Sequence, residues 1–418
     1  MAQSSEVLDS LILIACCKSR NQSPMIAVCR PFDRDAVWSV QCFPFASTKT
    51  IMAKRRKVTR GHPTCEETPA IIPQRDSFSS VPVELLLTIV DYVLRGAPKL
   101  PLPPSATSQE ILPGEYAVRY DLLRTLTWTC RTLREICLPI LWQHVETCVV
   151  LSLRSRWYNA VTNALRVRCK AIKLTPEIHP LIQTFTVSLS RPGEKGVFRS
   201  FVACLESLPN LHTLIIIHMS AASKTTCAIQ RDFKKKRFPQ IRKLVLPDAA
   251  CAIVQCCPEV REIEINKGGG LKVAGAAEGF CPNIEIMYGM QCDVGTLEAV
   301  VQGVPSLREI WIREDCSKWC DPMGLRLLSN LQQLSAIVLS FYDHWEEGQD
   351  RPNLLDNTPV QAYLQLATGI FQRDGSSCSS VELTKTWSVR DLVPGHRIRA
   401  VRVRVERIHD GEIQEGST

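Results

Sequence analysis

The sequence predicts an α/β protein: a small N-terminal helical unit, then an irregular solenoid of alternating helices and short parallel strands. Three observations lead there. Two stretches between Phe78 and Trp142 carry apolar residues at helical spacing. Between Leu208 and Ile312 a proline-led aliphatic phrase recurs five times. Most copies follow a stretch with helical patterning, so helix and strand alternate.

At 418 residues, 45% of them hydrophobic, the chain can hold two or three domains with their own cores. No apolar run approaches the ~18 residues of a membrane-crossing helix. Leu11 to Cys17 is a short apolar run, but Glu6 and Asp9 precede it where a secretory leader would be basic. This argues against a signal peptide and predicts that the nineteen cysteines are reduced, many as small buried hydrophobes. The formal charge is +8, much of it from Lys54-Arg55-Arg56-Lys57 and Lys234-Lys235-Lys236-Arg237. Such clusters are usually solvated faces, and they also suit an import receptor or nucleic acid. The expected location is the cytoplasm, with the first cluster admitting the nucleus; a nucleic-acid enzyme is not expected, and no membrane is.

Residues 1–76 show no sustained periodicity and are expected to form a disordered tail. Within it Met52-Ala53-Lys54-Arg55 reads as a translation start in its own right.

The helical unit is expected over 77–146. Serines stand ready to cap the first helix, Pro82 sits near its first position and Glu84 lies in its first turn. Proline there lacks only an N–H that would be unpaired anyway, and the carboxylate faces the positive end of the helix dipole. Leu86, Ile89, Val90 and Val93 lay one apolar stripe along it. A proline-rich insert over 96–115 should loop out at modest cost, since closure entropy grows with the logarithm of loop length. Leu123, Leu126, Cys130, Leu133 and Cys137 make a second stripe on one helix, which Pro139 is expected to stop, with Leu141-Trp142 following as an anchor. These residues are too few to fill a core alone, so their apolar faces must meet the rest of the chain or another protein.

The pattern resembles the F-box, in particular the F-box-like segments of fungal proteins. The matching residues are Val81-Pro82-x-Glu84-Leu85-Leu86-x-x-Ile89, Thr129-Cys130-Arg131 and Leu141-Trp142. The resemblance implies a helical adaptor that docks on the Skp-type subunit of a cullin-based ubiquitin ligase. The implied contacts are Pro82, Glu84, Leu85, Leu86, Ile89, Leu126, Cys130, Leu133, Leu141 and Trp142, with Pro82, Ile89 and Trp142 as the chief anchors. The alternative is an ordinary helical subdomain packed against its own chain.

A helix around Leu151 to Leu165 follows, with Arg154, Arg156, Arg166 and Arg168 expected to face water. The repeated phrase then appears as Pro209-Asn210-Leu211-His212-Thr213-Leu214-Ile215-Ile216, and again from Pro239, Pro258 and Pro305, with a degraded copy from Pro282. Outlying copies begin at Pro180 and Leu328. The five prolines are 30, 19, 24 and 23 residues apart, a spacing similar to that of leucine-rich repeats. In each, the proline should end a helix, the next aliphatic tuck under, and the alternating residues form a strand with one face buried. Helices are expected at 198–207, 249–256, 295–302 and 323–328. The resulting leucine-rich-repeat-like solenoid spans 147–342, each unit covering its neighbour's edge.

A C-terminal cap is expected over 343–418. His344, Trp345, Glu346 and Glu347 lie in a polar stretch, Pro359 to Phe371 reads as a last helix, and a basic strand near 397–408 reads as an edge strand whose arginines discourage unwanted pairing.

No catalytic constellation is visible. The eight histidines are dispersed, and Cys316/Cys320 and Cys256-Cys257/Cys281 do not complete a zinc set. Lys267-Gly268-Gly269-Gly270-Leu271-Lys272 lacks the frame of a phosphate loop and is expected to join two repeats. Cys378 lies in a serine-rich run with no visible base partner. The sequence thus predicts no catalytic residue, cofactor or metal, and a chain that is not an enzyme. It would present an unknown protein substrate from the repeats while the helices hold the Skp-type subunit and, through it, a cullin. The rival expectations are a repeat-type protein-binding scaffold without a ligase role and, more remotely, a hydrolase in the C-terminal half.

Overall fold

The computed structural model describes residues 81–95, 115–148, 157–190, 196–220, 222–315, 322–346, 358–372, 379–384, 390–393 and 396–407. The tail, the proline-rich insert up to Gly114, the Lys54–Lys57 cluster and Cys316, Cys320 and Cys378 lie outside these residues.

Helix α1 spans Val83–Arg95. The Pro82 carbonyl opens it, accepting the N–H groups of Leu85 and Leu86 at 3.1 and 3.2 Å. The second apolar stripe is carried by two helices rather than one, α2 (Glu115–Thr129) and α3 (Arg131–Gln143). The break has a local cause. Thr125, Thr127 and Thr129 turn their hydroxyls back onto the carbonyls of Asp121, Arg124 and Leu126 at 2.7–2.8 Å, a competition that weakens a helix end. Cys130 is extended (φ −153°, ψ 169°), and its Sγ accepts the Leu133 N–H, so it caps α3 instead of continuing α2. Pro139 does not stop α3, which runs four residues further. The proline forfeits one hydrogen bond, but Leu133, Cys137 and Leu141 are all buried along one stripe and hold the helix through it. Leu141 and Trp142 are thus its last turn. Val90 and Leu94 of α1 pack with Leu123, Cys137 and Leu141 into a small core of their own.

The chain passes from α3 into β1 (His144–Glu146) and then α4 (Trp157–Leu174), which runs past the expected end at Leu165; residues 151–156 of the expected helix lie outside the described residues. Seven more parallel strands follow, β2 (Thr184–Leu189), β3 (Thr213–Met219), β4 (Lys243–Pro247), β5 (Glu262–Lys267), β6 (Ile286–Met290), β7 (Glu309–Asp315) and β8 (Ala336–Glu346). Each pairs with the next in sequence order, with no reversal between β1 and β8. The connections are α5 (Val197–Glu206), α6 (Ser223–Phe233), α7 (Leu271–Ala277) and α8 (Val294–Gly303), with 3-10 segments at Pro176–Leu181, Asp248–Cys256 and Pro322–Asn330. Consecutive connections from α4 onward pack against one another, forming a second layer over the sheet. The last two 3-10 segments replace expected α-helices. A 3-10 turn rises about 2.0 Å per residue against about 1.5 Å in an α-helix, so it spans a short connection with fewer residues.

The proline-led phrase builds the same turn in four of its five copies. The carbonyl before the proline accepts the N–H of the aliphatic two residues after it, at Leu208/Leu211, Phe238/Ile241, Cys257/Val260 and Val304/Leu307, as in a turn with proline at its second position. The following residue then donates its N–H to the same position of the preceding copy: Arg242 to His212, Arg261 to Arg242, Glu285 to Arg261 and Arg308 to Glu285, each at 2.8 Å. That joint fixes the register, and Phe185, Leu214, Leu244, Ile263, Met287, Ile310 and Ile337 line up across seven strands. All are buried in the core between sheet and helices.

The sheet ends antiparallel. After α9 (Thr358–Gln372) come β9 (Ser379–Thr384), β10 (Arg390–Val393) and β11 (His396–Arg407). β11 pairs with β8 over residues 396–406, and with β9 and β10 on its other side. The basic strand is therefore interior, not an edge. Val403 and Val405 go fully into the core, and a strand with a buried face needs both of its backbone edges satisfied. The same pairing carries β8 as far as Glu346, through the stretch where the sequence pattern fades. Altogether this is an α/β fold on a mostly parallel sheet. Among the described residues, no helix is long and apolar enough to cross a membrane.

Candidate functional site

Helix α1 carries more apolar residues than one buried stripe can use. Val90 and Leu94 face the small core, and Leu86 is buried as well, Leu86 and Val90 each 2% exposed. Leu85, Ile89 and Tyr92, at i, i+4 and i+7, lie on the other side and remain 56%, 52% and 70% exposed. Val83 and Leu87, on the opposite side of the helix, are exposed as well. On α2, Trp128 is 72% exposed with the Arg124 guanidinium 4.6 Å over its ring, and Val118 is exposed nearby in sequence. An uncovered apolar helix face of this kind marks a contact surface.

The ten residues implied by the F-box resemblance divide accordingly. Pro82, Glu84, Leu85 and Ile89 are exposed. Leu86, Leu133 and Leu141 are buried, Leu141 in the small core, against which Leu126 is half-buried. Cys130 is a helix cap. Trp142 packs on the main core, while Arg168 of α4 lies 5.6 Å over its ring and donates to the Tyr120 hydroxyl at 2.9 Å. Trp142 thus joins the helical unit to the sheet rather than reaching outward, and Arg168 is engaged there instead of facing water. Tyr92, Val83, Leu87 and Trp128 escaped the sequence reading. For Val83 and Leu87 the signal was the excess of apolar residues in Val83-Glu84-Leu85-Leu86-Leu87-Thr88-Ile89-Val90, more than a one-sided helix requires.

At the same junction Glu146 is largely enclosed. Burial pushes its carboxyl up to about 7, against the pull of Arg119 and Arg168. Burial, with Arg119 and His212, lowers the neighbouring His144.

The sheet face away from the helices carries a polar and aromatic row. Lys243 pairs with Glu262 at 2.8 Å and stands 5.4 Å over the Tyr288 ring. Tyr288 meets Trp311 at 5.1 Å, Trp311 donates its indole N–H to Glu309, and Arg404 grips both oxygens of Glu309 at 3.1 and 3.2 Å. Burial, then Glu262, Glu309 and Glu264, raise the Tyr288 phenol to about 12, with Arg404 opposing. The row is held together by its own contacts.

The glycine-rich loop is a joint between β5 and α7. Gly268 and Gly270 have φ of 101° and 95°, and the Gly270 N–H is taken by the Asp248 carboxylate at 3.1 Å, an anion where a phosphate would sit. Cys281 donates to the carbonyls of Val254 and Cys257, and burial raises the Cys256 and Cys281 thiols to about 11 and about 12. No disulfide joins the described cysteines to one another. No group of three His, Cys, Asp or Glu among the described residues could hold a metal ion.

No protein-family model matches the chain, and no curated protein does. Among solved structures, that of the mitomycin 7-O-methyltransferase MmcR aligns with 78% of this chain and 98% of its own, at 13% identity and a TM-score of 0.17. At that TM-score the likeness carries no argument for methyl transfer. The expectation that the chain is not an enzyme is nevertheless corrected. A mostly parallel α/β sheet hosts many chemistries, and a missing motif does not exclude one of them.

Proposed function

We propose that this chain is the substrate-recognition adaptor of a Skp-cullin-F-box ubiquitin ligase. An F-box-like unit, α1 to α3, docks on the Skp-type subunit. An irregular leucine-rich-repeat-like solenoid, β1 to β8 with its connections, receives a protein substrate. The observation that carries the reading is the outward face of α1, where Leu85, Ile89 and Tyr92 stand uncovered beside a helix face already buried in its own core. Covering such side chains contributes up to about 1.5–3 kcal/mol each, enough for a few anchors to hold a partner. The strand order and the repeated backbone joint support the solenoid, because each strand from β1 to β8 pairs with the next in sequence order. Holding a substrate beside a ubiquitin-conjugating enzyme raises their effective concentration.

The test is co-purification of the full chain with a purified Skp-type subunit. Wild type should retain it, and Pro82→Ala/Ile89→Asp should lose it while keeping the same circular dichroism spectrum. Equal retention by both proteins removes the ligase role and leaves the scaffold reading, in which the repeats bind protein without a Skp-type subunit.

A further inference from the structure

On the helical side of the sheet, away from α1, the chain forms a cleft of about 310 Å³ between α5 and the segment that ends α6. Its lining contains Arg199, Arg231, Lys234 and Lys236 against Glu206 and Asp232, with Val202 and Ala203 between them. Four cations against two carboxylates leave a surplus of two positive charges. The pairs inside the cleft set its character. Lys236 meets Glu206 at 2.8 Å, and the Arg231 guanidinium is gripped by both oxygens of Asp232, whose side chain is nearly buried. Lys235 adopts a left-handed backbone (φ 65°), the one non-glycine among the described residues to do so, and this turn sets Lys234 and Lys236 on the same lining. A side chain at such φ is strained, and is kept where surrounding structure requires it.

We propose that this cleft docks a carboxylate-rich peptide segment of a partner protein. Two of the four cations already carry a carboxylate, Lys236 on Glu206 and Arg231 on Asp232, so the surplus charge lies with Arg199 and Lys234. A single compact dianion would meet those carboxylates, whereas separate carboxylates on one peptide can each find a cation. The same two acids repel a continuous phosphate backbone, which calls for an unbroken basic track. Val202 and Ala203 offer apolar surface to the peptide's aliphatic stems, and Glu206 can accept its backbone N–H groups. Nothing in this site depends on the α1 face.

The test uses the full chain and fluorescence anisotropy of a labelled Asp/Glu-rich peptide. Its Asn/Gln counterpart, a phosphoserine peptide and a single-stranded oligonucleotide serve as the other arms. The acidic peptide should bind, weaken as salt rises, and weaken about tenfold in Arg199→Glu/Lys234→Glu, the loss expected from two surface charge contacts of about 0.5–1 kcal/mol each. Arg199→Gln/Lys234→Gln should show a smaller loss, and Arg326→Glu, outside the cleft, none. The proposal is overturned by equal binding of the Asn/Gln peptide or by no binding of the acidic one. Preference for the phosphoserine peptide or the oligonucleotide, or the same loss in Arg326→Glu, overturns it as well.

Discussion

Two glycine-to-alanine substitutions, chemically identical, should move stability in opposite directions. Gly289 lies in β6 at φ 77°, at the register shift between Met287 and Met290. A Cβ built there would stand 2.3 Å from the Ile265 carbonyl oxygen of β5, a backbone atom. Alanine at that φ costs about 1–2 kcal/mol by itself. Relief of the contact then requires β5 and β6 to separate by most of an ångström, at a spacing normally held to about 4.7–4.9 Å. Losing two ladder bonds in the process adds about 1 kcal/mol each. Gly289→Ala should therefore destabilise by about 3–4 kcal/mol. Gly275 is exposed inside α7 with nothing within 4 Å of its virtual Cβ. Gly275→Ala should stabilise by up to about 1 kcal/mol through helix propensity. Urea titration followed by circular dichroism reads both midpoints against wild type. Two equal shifts, or a stabilised Gly289→Ala, would refute the β5–β6 register on which the repeat joint rests.

Other consequences follow from the same structure. Ile89→Asp should cost about 1 kcal/mol, since that side chain is half exposed, whereas Val90→Asp should cost several, because it buries a charge; equal urea midpoints would mean that Ile89 is covered. Glu146, raised from an ordinary 4.5 to about 7, binds its proton more tightly folded than unfolded. Its contribution is present below about pH 4.5 and is lost as pH rises to about 7, a change on the order of 3 kcal/mol. Unfolding free energies at pH 5 and pH 8 should differ less in Glu146→Gln than in wild type, and an unchanged difference would count against the enclosed carboxyl. Asn266 is buried and donates to the Ile216 carbonyl at 2.8 Å. Asn266→Ala should cost about 1–3 kcal/mol by stranding that acceptor, read as a lower midpoint of thermal unfolding.

The sequence by itself determined the repeating part of this protein. A proline, an aliphatic and an alternating pair are instructions executed within eight residues. Proline presets the turn, the turn places the next N–H on the preceding copy, and period-2 alternation sends Leu214, Leu244, Ile263 and Ile310 inward. Local chemistry of that kind needs no knowledge of distant neighbours. The excess of apolar residues on α1 was equally visible, but not which of them would be covered. Only the tertiary structure decided that Val90 turns inward and Ile89 outward, since both fit the same helical period. It also decided that Cys130 breaks a stripe that reads as continuous, that Pro139 sits inside a helix held by its buried side, and that Trp142 and Arg168 clasp each other at the junction. The basic strand became interior for the same reason. Burial of Val403 and Val405 is settled by what lies across from them, β8 on one side and β9 on the other, and partners remote in sequence leave no mark on the local pattern.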